Sequence, residues 1–379
     1  MLKKRFKNSV FYLTLFSTLA LFSACDNKKS SRSPLPPPGA VEPPGFYATA
    51  GNAVNFKHEL DSYKPKKTSY NFYFTYKINH SWWDAVAMGV EDAVNQFEDR
   101  GIQITYDYLA PVKVSAQDQA DRIRRAAASG EYDVIGVDVC DIKVITPVIN
   151  EILKTGQKIM TFSSSDSSKE DGCNRIAYVG NTHNYEDGCT MAETLCKRLD
   201  YKGEVALLVG NDGAPCHEQR ARGARDVISK YRDMKVVEIG FDEDDIESAY
   251  AITLGFIKKY PHLAGIIGCD MSNPVGAARA VIDSKKIGDI IIVGMDHDQE
   301  ALRYLRDGII FALGVQDCYS IGFDTMQVAV KIADGVKPGE GYPEKTEEST
   351  TVIYQADAAL MLLMLYGELS NDANRRIRR

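Results

Sequence analysis

Ten short apolar runs, separated by amphipathic stretches, recur between residues 72 and 315 and constrain the fold more than any other feature. They are Phe72–Tyr76, Ile102–Tyr108, Val134–Val139, Ile159–Phe162, Ile176–Val179, Val205–Val209, Val236–Gly240, Ala264–Gly268, Ile290–Met295 and Ile310–Val315. Runs this short, apolar throughout rather than alternating, read as parallel strands buried on both faces. Between them, Val86, Val90, Val94 and Phe97 recur at helical spacing, as do Ile149, Ile152 and Leu153, and Ala251, Leu254 and Ile257. Gly130, Gly156 and Gly308 stand where helices should stop. A repeated βα unit of this kind specifies an α/β fold with a doubly wound parallel sheet. At roughly 310 residues the region exceeds one ordinary core, so two such lobes are expected.

The N-terminus reads as a leader. Lys3, Lys4, Arg5 and Lys7 precede an apolar run, Val10–Phe22, of 13 residues. That is short of the roughly 20 needed to span a bilayer as a helix and fits an export signal. Leu21-Phe22-Ser23-Ala24-Cys25 then resembles the bacterial lipobox, which implies cleavage after residue 24 and acylation of Cys25. Residues 25–67, with Ser30-Ser31-Arg32-Ser33, Pro34-Leu35-Pro36-Pro37-Pro38 and Pro43-Pro44-Gly45, read as a disordered tether from that anchor. The expected location is extracytoplasmic and lipid-anchored, in the periplasm of a two-membrane bacterium.

Charge excludes one class of partner. The precursor carries −7, and loss of the four leader cations gives −7 − 4 = −11. Such a surface argues against nucleic acid. Of eight cysteines none forms a CxxC pair, so no zinc site is expected, and Asp242–Asp245 lacks the glycine a calcium loop needs. No cofactor is implied.

In open α/β sheets ligands lie beyond the carboxyl ends of the strands. Those exits carry Lys77-Ile78-Asn79-His80-Ser81-Trp82-Trp83, Asp138, Ser163-Ser164-Ser165-Asp166, Cys269-Asp270-Met271-Ser272-Asn273, Asp296-His297-Asp298 and Gln316-Asp317. Arg220-Ala221-Arg222-Gly223 follows the turn after Val205–Val209. Polar groups at nearly every exit, beside the chain's only two tryptophans, describe a pocket for a polar ligand with an apolar face.

In this order the motifs resemble the type I periplasmic binding proteins, the ribose-binding-protein-like sugar receptors, from about Ser69 to Ile353. The resemblance implies two lobes joined by three hinge crossings, near Gly180-Asn181, Gln316-Asp317 and Thr346–Ser349. It implies an N-terminal lobe of residues 68–180 plus 317–346 and a C-terminal lobe of 181–316 plus 347–355, with 356–379 a helical extension. Carried over by position, it places Tyr76, His80, Trp82, Trp83, Asp138, Ser163 and Ser164 in the first lobe's wall. Arg222, Asp244, Asp270 and Asp296 fall in the second lobe's, with Gln316 at the hinge. Ribose binders of the family have asparagine at the positions of His80 and Asp138, and an Asp-Arg pair near Ser163-Ser164.

The residue types suit a neutral sugar independently of that resemblance. Indole faces cover the C–H patches of a sugar ring. Carboxylates accept hydroxyl hydrogen bonds, and a guanidinium donates in a fixed fork. Because aspartates outnumber the arginine, the set leaves room for an amino sugar and suits an anion poorly. The implied protein is a monomeric receptor that delivers a monosaccharide or polyol to the permease of an ABC importer, or else a sensor partnering a kinase or chemoreceptor. A glycan hydrolase is the rival from another class, but no Gly-x-Ser-x-Gly nucleophile turn follows any strand.

Overall fold

The computed structural model describes residues 58–368, and Cys25 and the leader lie outside the described residues. All ten apolar runs form strands. The first sheet holds β1 (Ser69–Thr75), β2 (Gln103–Leu109), β3 (Val134–Val137), β4 (Ile159–Ser163) and β5 (Tyr178–Gly180). The second holds β6 (Gly203–Val209), β7 (Met234–Phe241), β8 (Leu263–Gly268), β9 (Ile291–Met295) and β10 (Ile310–Gln316). Two further strands, β11 (Lys345–Glu347) and β12 (Thr350–Ile353), were not legible as apolar runs. The sheet orders are β11-β5-β4-β3-β1-β2 and β12-β10-β9-β8-β6-β7. Every pairing is parallel except that of β12 with β10.

Helices cover both faces of each sheet. In the first lobe α1 (Ser81–Asp99) lies on the side of one core, with Phe72, Phe74, Trp83 and Phe97, and α2 (Ala116–Ser129) and α3 (Ile142–Leu153) on the other, with Ile123, Ile135 and Ile149. The second lobe has α4 (Asn184–Arg198) and α5 (Pro215–Ile228) on one face, and α6 (Ile246–Lys259), α7 (Ser272–Asp283) and α8 (Gln299–Arg306) on the other. The chain then returns to the first lobe as α9 (Cys318–Ala333), which packs on α1, and ends in α10 (Gln355–Tyr366), which packs on α8. Helix starts are set locally: Ser115, Asp141, Asp245 and Asp298 each accept a backbone N–H of the following turn. No helix among the described residues is long and apolar enough to cross a membrane.

Three crossings join the lobes, after β5, after β10 and between β11 and β12. They touch one another: Asp317 N–H donates to Ser349 O at 3.0 Å and Glu348 N–H to Gly180 O at 3.0 Å. Gly180 is obligatory there. A Cβ on it would fall 1.6 Å from Ser163 O, and its φ is +155°.

The tether expected over residues 25–67 does not run to its end. Residues 58–67 pack on the first lobe: Leu60 is buried, Arg100 donates to the carbonyls of Leu60 and Asp61 at 2.8 Å, and Tyr63 donates to Asp334 at 2.9 Å. Two apolar anchors suffice to dock a short segment whose proline-rich signal has already ended at Gly45.

Candidate functional site

The carboxyl ends of the two sheets face each other across a narrow cavity lined by Lys77, His80, Trp82, Trp83, Asp138, Ser163 and Ser164 from one lobe and Cys216, His217, Arg220, Asp244, Asp270, Met271 and Asp296 from the other. The β1–α1 connection supplies Lys77 and His80, and the first turn of α1 supplies both indoles. Trp82 donates through Nε1 to Asp296 Oδ1 at 3.2 Å across the cleft. Trp83 Nε1 is buried with no partner. Tyr76 does not line the cavity. Its ring backs Trp83 at 4.5 Å between centroids and its hydroxyl donates to Asn79, so it braces the indole instead.

Asp138 follows β3 and accepts from Lys77 N–H at 3.1 Å and from Ser163 Oγ at 2.5 Å. Burial raises its pKa to about 6, against the pull of Lys77 and the Ser163 hydroxyl. Ser163, Asp244 and Asp296 all have positive φ, at 92°, 60° and 70°. Non-glycine residues adopt this region rarely, and strained residues cluster at ligand sites.

In the second lobe the expectation for Arg222 is corrected. Arg222 is exposed, lies over the Tyr185 ring at 5.0 Å, and lines an outer groove with Ile142 and Phe241. The cavity's arginine is Arg220, 2% exposed, whose Nη1 donates to Cys269 O at 3.0 Å while Nε and Nη2 have no partner. Gln316 is placed one layer back. It donates to Asp296 Oδ1 at 2.5 Å, and its Oε1 accepts from Ser164 at 2.7 Å and Asn181 at 3.2 Å, tying the cavity to the hinge. Nine expected residues thus meet at the cavity: His80, Trp82, Trp83, Asp138, Ser163, Ser164, Asp244, Asp270 and Asp296.

Lys77, Cys216, His217, Arg220 and Met271 were not among the expected site residues, although Lys77, Arg220 and Met271 stand in the motifs that follow the strands. The signal for Lys77 was a lone cation directly after a buried strand. Its Nζ lies 3.2 Å from His217 Nε2, 3.8 Å from Cys216 Sγ and 4.0 Å from Asp244 Oδ2. Burial disfavours its charge, but Cys216, Asp244 and Asp138 outweigh that and hold its pKa above the ordinary lysine value. Burial also disfavours the Asp244 charge, and His217 and Lys77 reverse it, so Asp244 is the ionised member of its cluster. Asp270 has burial, Asp242 and Asp244 against ionisation and stays protonated well above the usual range. Burial lowers the His80 ring to about 4, so it is neutral.

His217, Asp244 and Asp270 bring metal-ligating atoms within 4.8 Å of one another. The His217 ring argues against a cation there. Asn211 N–H donates to Nδ1 at 3.0 Å, which assigns the ring proton to Nε2, the nitrogen 3.7 Å from Asp244. Lys77 already supplies the positive charge.

The resulting cavity presents buried donors without a hydrogen-bond partner (Trp83 Nε1, Arg220 Nε and Nη2) together with the carboxyl groups of Asp244 and Asp270, beside two indoles. Buried polar atoms without partners are costly, which makes them a template for what they bind.

A family model described as a periplasmic binding protein domain matches residues 72–337. The D-ribose/D-allose-binding protein of Pseudomonas aeruginosa is 24% identical over 239 residues, covering 61% of this chain and 74% of that protein. The D-allose-binding periplasmic protein of Escherichia coli is 23% identical over 271 residues, covering 70% and 84%. Among solved structures, an ABC transporter solute-binding protein from Burkholderia graminis in complex with D-arabinose is similar at a TM-score of 0.70 and 25% identity, over 77% of this chain and 98% of that one.

Proposed function

The chain belongs to the periplasmic binding protein domain family, and from that premise we propose that it captures one neutral monosaccharide or related polyol between its lobes and delivers it to an ABC importer. The observation that carries the reading is the set of unpaired donors and of carboxyl groups that the two lobes aim, with two indoles, into one cavity. Hydroxyls can both donate to the Asp244 carboxylate and accept from Arg220 and Trp83, which an apolar ligand cannot do. The names of the relatives, which bind ribose, allose or arabinose, support the same class.

The lobes are residues 68–180 plus 317–346 and 181–316 plus 347–355. Closure brings both walls onto the ligand and stabilises a shape that a permease recognises, which needs only a higher ligand affinity in the closed state. The protein works as a monomeric binder without chemical turnover. Its leader and Cys25 give it a lipid anchor on the extracytoplasmic face, where several acyl chains hold more stably than one.

Titration calorimetry against pentoses, hexoses, amino sugars and polyols tests the reading. One site with a 1:1 stoichiometry is expected for at least one compound. Folded protein that binds nothing in the panel removes the sugar assignment.

A further inference from the structure

The geometry points to Cys216 as a thiolate modification site in the wall of the cleft, oxidised by hydrogen peroxide to a sulfenic acid. Lys77 is an ammonium buried to 6% exposure, and among the described residues the one hydrogen-bond acceptor of its Nζ is Cys216 Sγ at 3.8 Å. The neighbouring His217 cannot serve, because its proton is on Nε2, so two donors face each other at 3.2 Å. Two donors held this close need shared anions, and those on hand are the Cys216 sulfur and Asp244. Ser165 Oγ lies 3.0 Å from the same sulfur and donates to it once it is ionised. Cys216 is also the second residue of α5, where helix-terminal N–H groups favour negative charge.

A second observation concerns what the sulfur reacts with. Arg220 stands one turn further along α5 and lines the same cavity, 2% exposed, with Nε and Nη2 unpartnered. A guanidinium with free donors beside a thiolate is placed to hold a small oxygen species. The electrostatics agree in direction: burial pushes the thiol up, but the His217 ring N–H, Lys77 and Arg220 pull it below the ordinary thiol value. Burial instead raises Cys140 and Cys196 to about 12, and Cys173, Cys189, Cys269 and Cys318 are raised as well. All seven described cysteines are free.

In the step, the thiolate attacks one peroxide oxygen, the S–O bond forms and the O–O bond breaks. Sulfur loses two electrons to the departing hydroxide, which takes a proton from the Lys77 ammonium and leaves as water. The product removes the anion that Lys77 of one lobe meets on the other, and adds an oxygen between the closing walls, so oxidation opposes ligand capture. The inference rests on the proposed function only for access, since lobe opening admits peroxide.

The test uses the whole chain without sugar, treated with peroxide at pH 6–7, trapped with dimedone and mapped by peptide mass spectrometry. The adduct is expected at Cys216 at least tenfold faster than at any other cysteine, including half-buried Cys189. Iodoacetamide alkylation of Cys216 should stay nearly level from pH 8 down to about 6, and Cys216→Ser should abolish the adduct. Lys77→Met should slow the reaction at least tenfold and move its pH dependence upward. If the variants misfold, the wild-type pH profile decides alone. A Cys216 rate that matches the other cysteines, or that climbs through pH 8–9 as an ordinary thiol does, overturns the inference. Labelling at Cys216 in a protein that binds no sugar would leave it standing while the sugar assignment falls.

Discussion

Arg220 faces the cavity and Arg222 faces solvent because residues two positions apart on an α-helix point about 200° away from each other. The guanidinium fork of Arg220 cannot be replaced by a point charge on a flexible stem. Arg220→Lys is therefore expected to weaken sugar binding at least tenfold, about 1.4 kcal/mol, whereas Arg222→Ala should stay within twofold by calorimetry. Equal losses from both would put the wrong arginine in the site. Asp138 makes a second residue-scale prediction. Burial raises its folded pKa from 3.8 to about 6, so the folded state holds a proton that the unfolded chain gives up. Stability is unaffected below pH 3.8 and falls as pH rises through that window, by on the order of 3 kcal/mol above it. Relative to wild type, Asp138→Asn should gain stability in urea melts between pH 4 and pH 7; a gap constant with pH would contradict the shift.

At the scale of elements, the cleft depends on how closely α4 and α5 approach. A Cβ at Gly188 would lie 2.0 Å from Arg220 O, and one at Gly223 would lie 2.1 Å from Tyr185 O. The two helices thus touch through their backbones at the turn that carries Arg220. Gly188→Ala should cost about 1–3 kcal/mol and also weaken binding, by pushing Arg220 off its position. Gly255 on α6 has nothing within 4 Å of its would-be Cβ, so Gly255→Ala should stabilise by roughly 0.5–1 kcal/mol. Denaturant melts of the pair check the contrast, and a neutral Gly188→Ala would mean the helices can part freely. The same scale explains which strands could be read from the chain. The ten apolar runs are central or half-covered strands with a burial signal, while β11, Lys-Thr-Glu, is a polar edge strand ordered by its pairing with β5.

Across the whole molecule, closure is held by bonds between the lobes. Trp82 reaches Asp296, Ser81 Oγ donates to Asp298 at 3.2 Å, and Asn211 Nδ2 donates to Cys140 O at 3.1 Å. Asn211 lies outside the cavity lining, which separates closure from ligand contact. Losing one such hydrogen bond is worth about 1 kcal/mol, so Asn211→Ala should raise the dissociation constant by roughly fivefold. X-ray scattering of the sugar-loaded variant should show a larger mean radius than wild type. Full affinity with an unchanged radius would show that this bond does not hold the lobes. Behind the cavity, Gln316 links Asp296 to Asn181, and Asn181 Nδ2 donates to Asp187 at 2.6 Å and Thr350 at 3.1 Å. All three crossings therefore feel a ligand that moves Asp296.

From residue order alone came the α/β class, the strand exits and most of the cavity's aspartates, serines and indoles. Those follow from periodicity and from the rule that parallel strands deliver their next residues to one edge. Only the tertiary structure decided that Arg220 and not Arg222 enters, that Tyr76 braces an indole, and that Gln316 stands behind Asp296. It alone brought Lys77 onto Cys216, His217 and Asp244, residues more than 130 positions away. Helical phase near a poorly bounded start, and pairings between distant segments, depend on how two lobes face each other, and no local pattern carries that information.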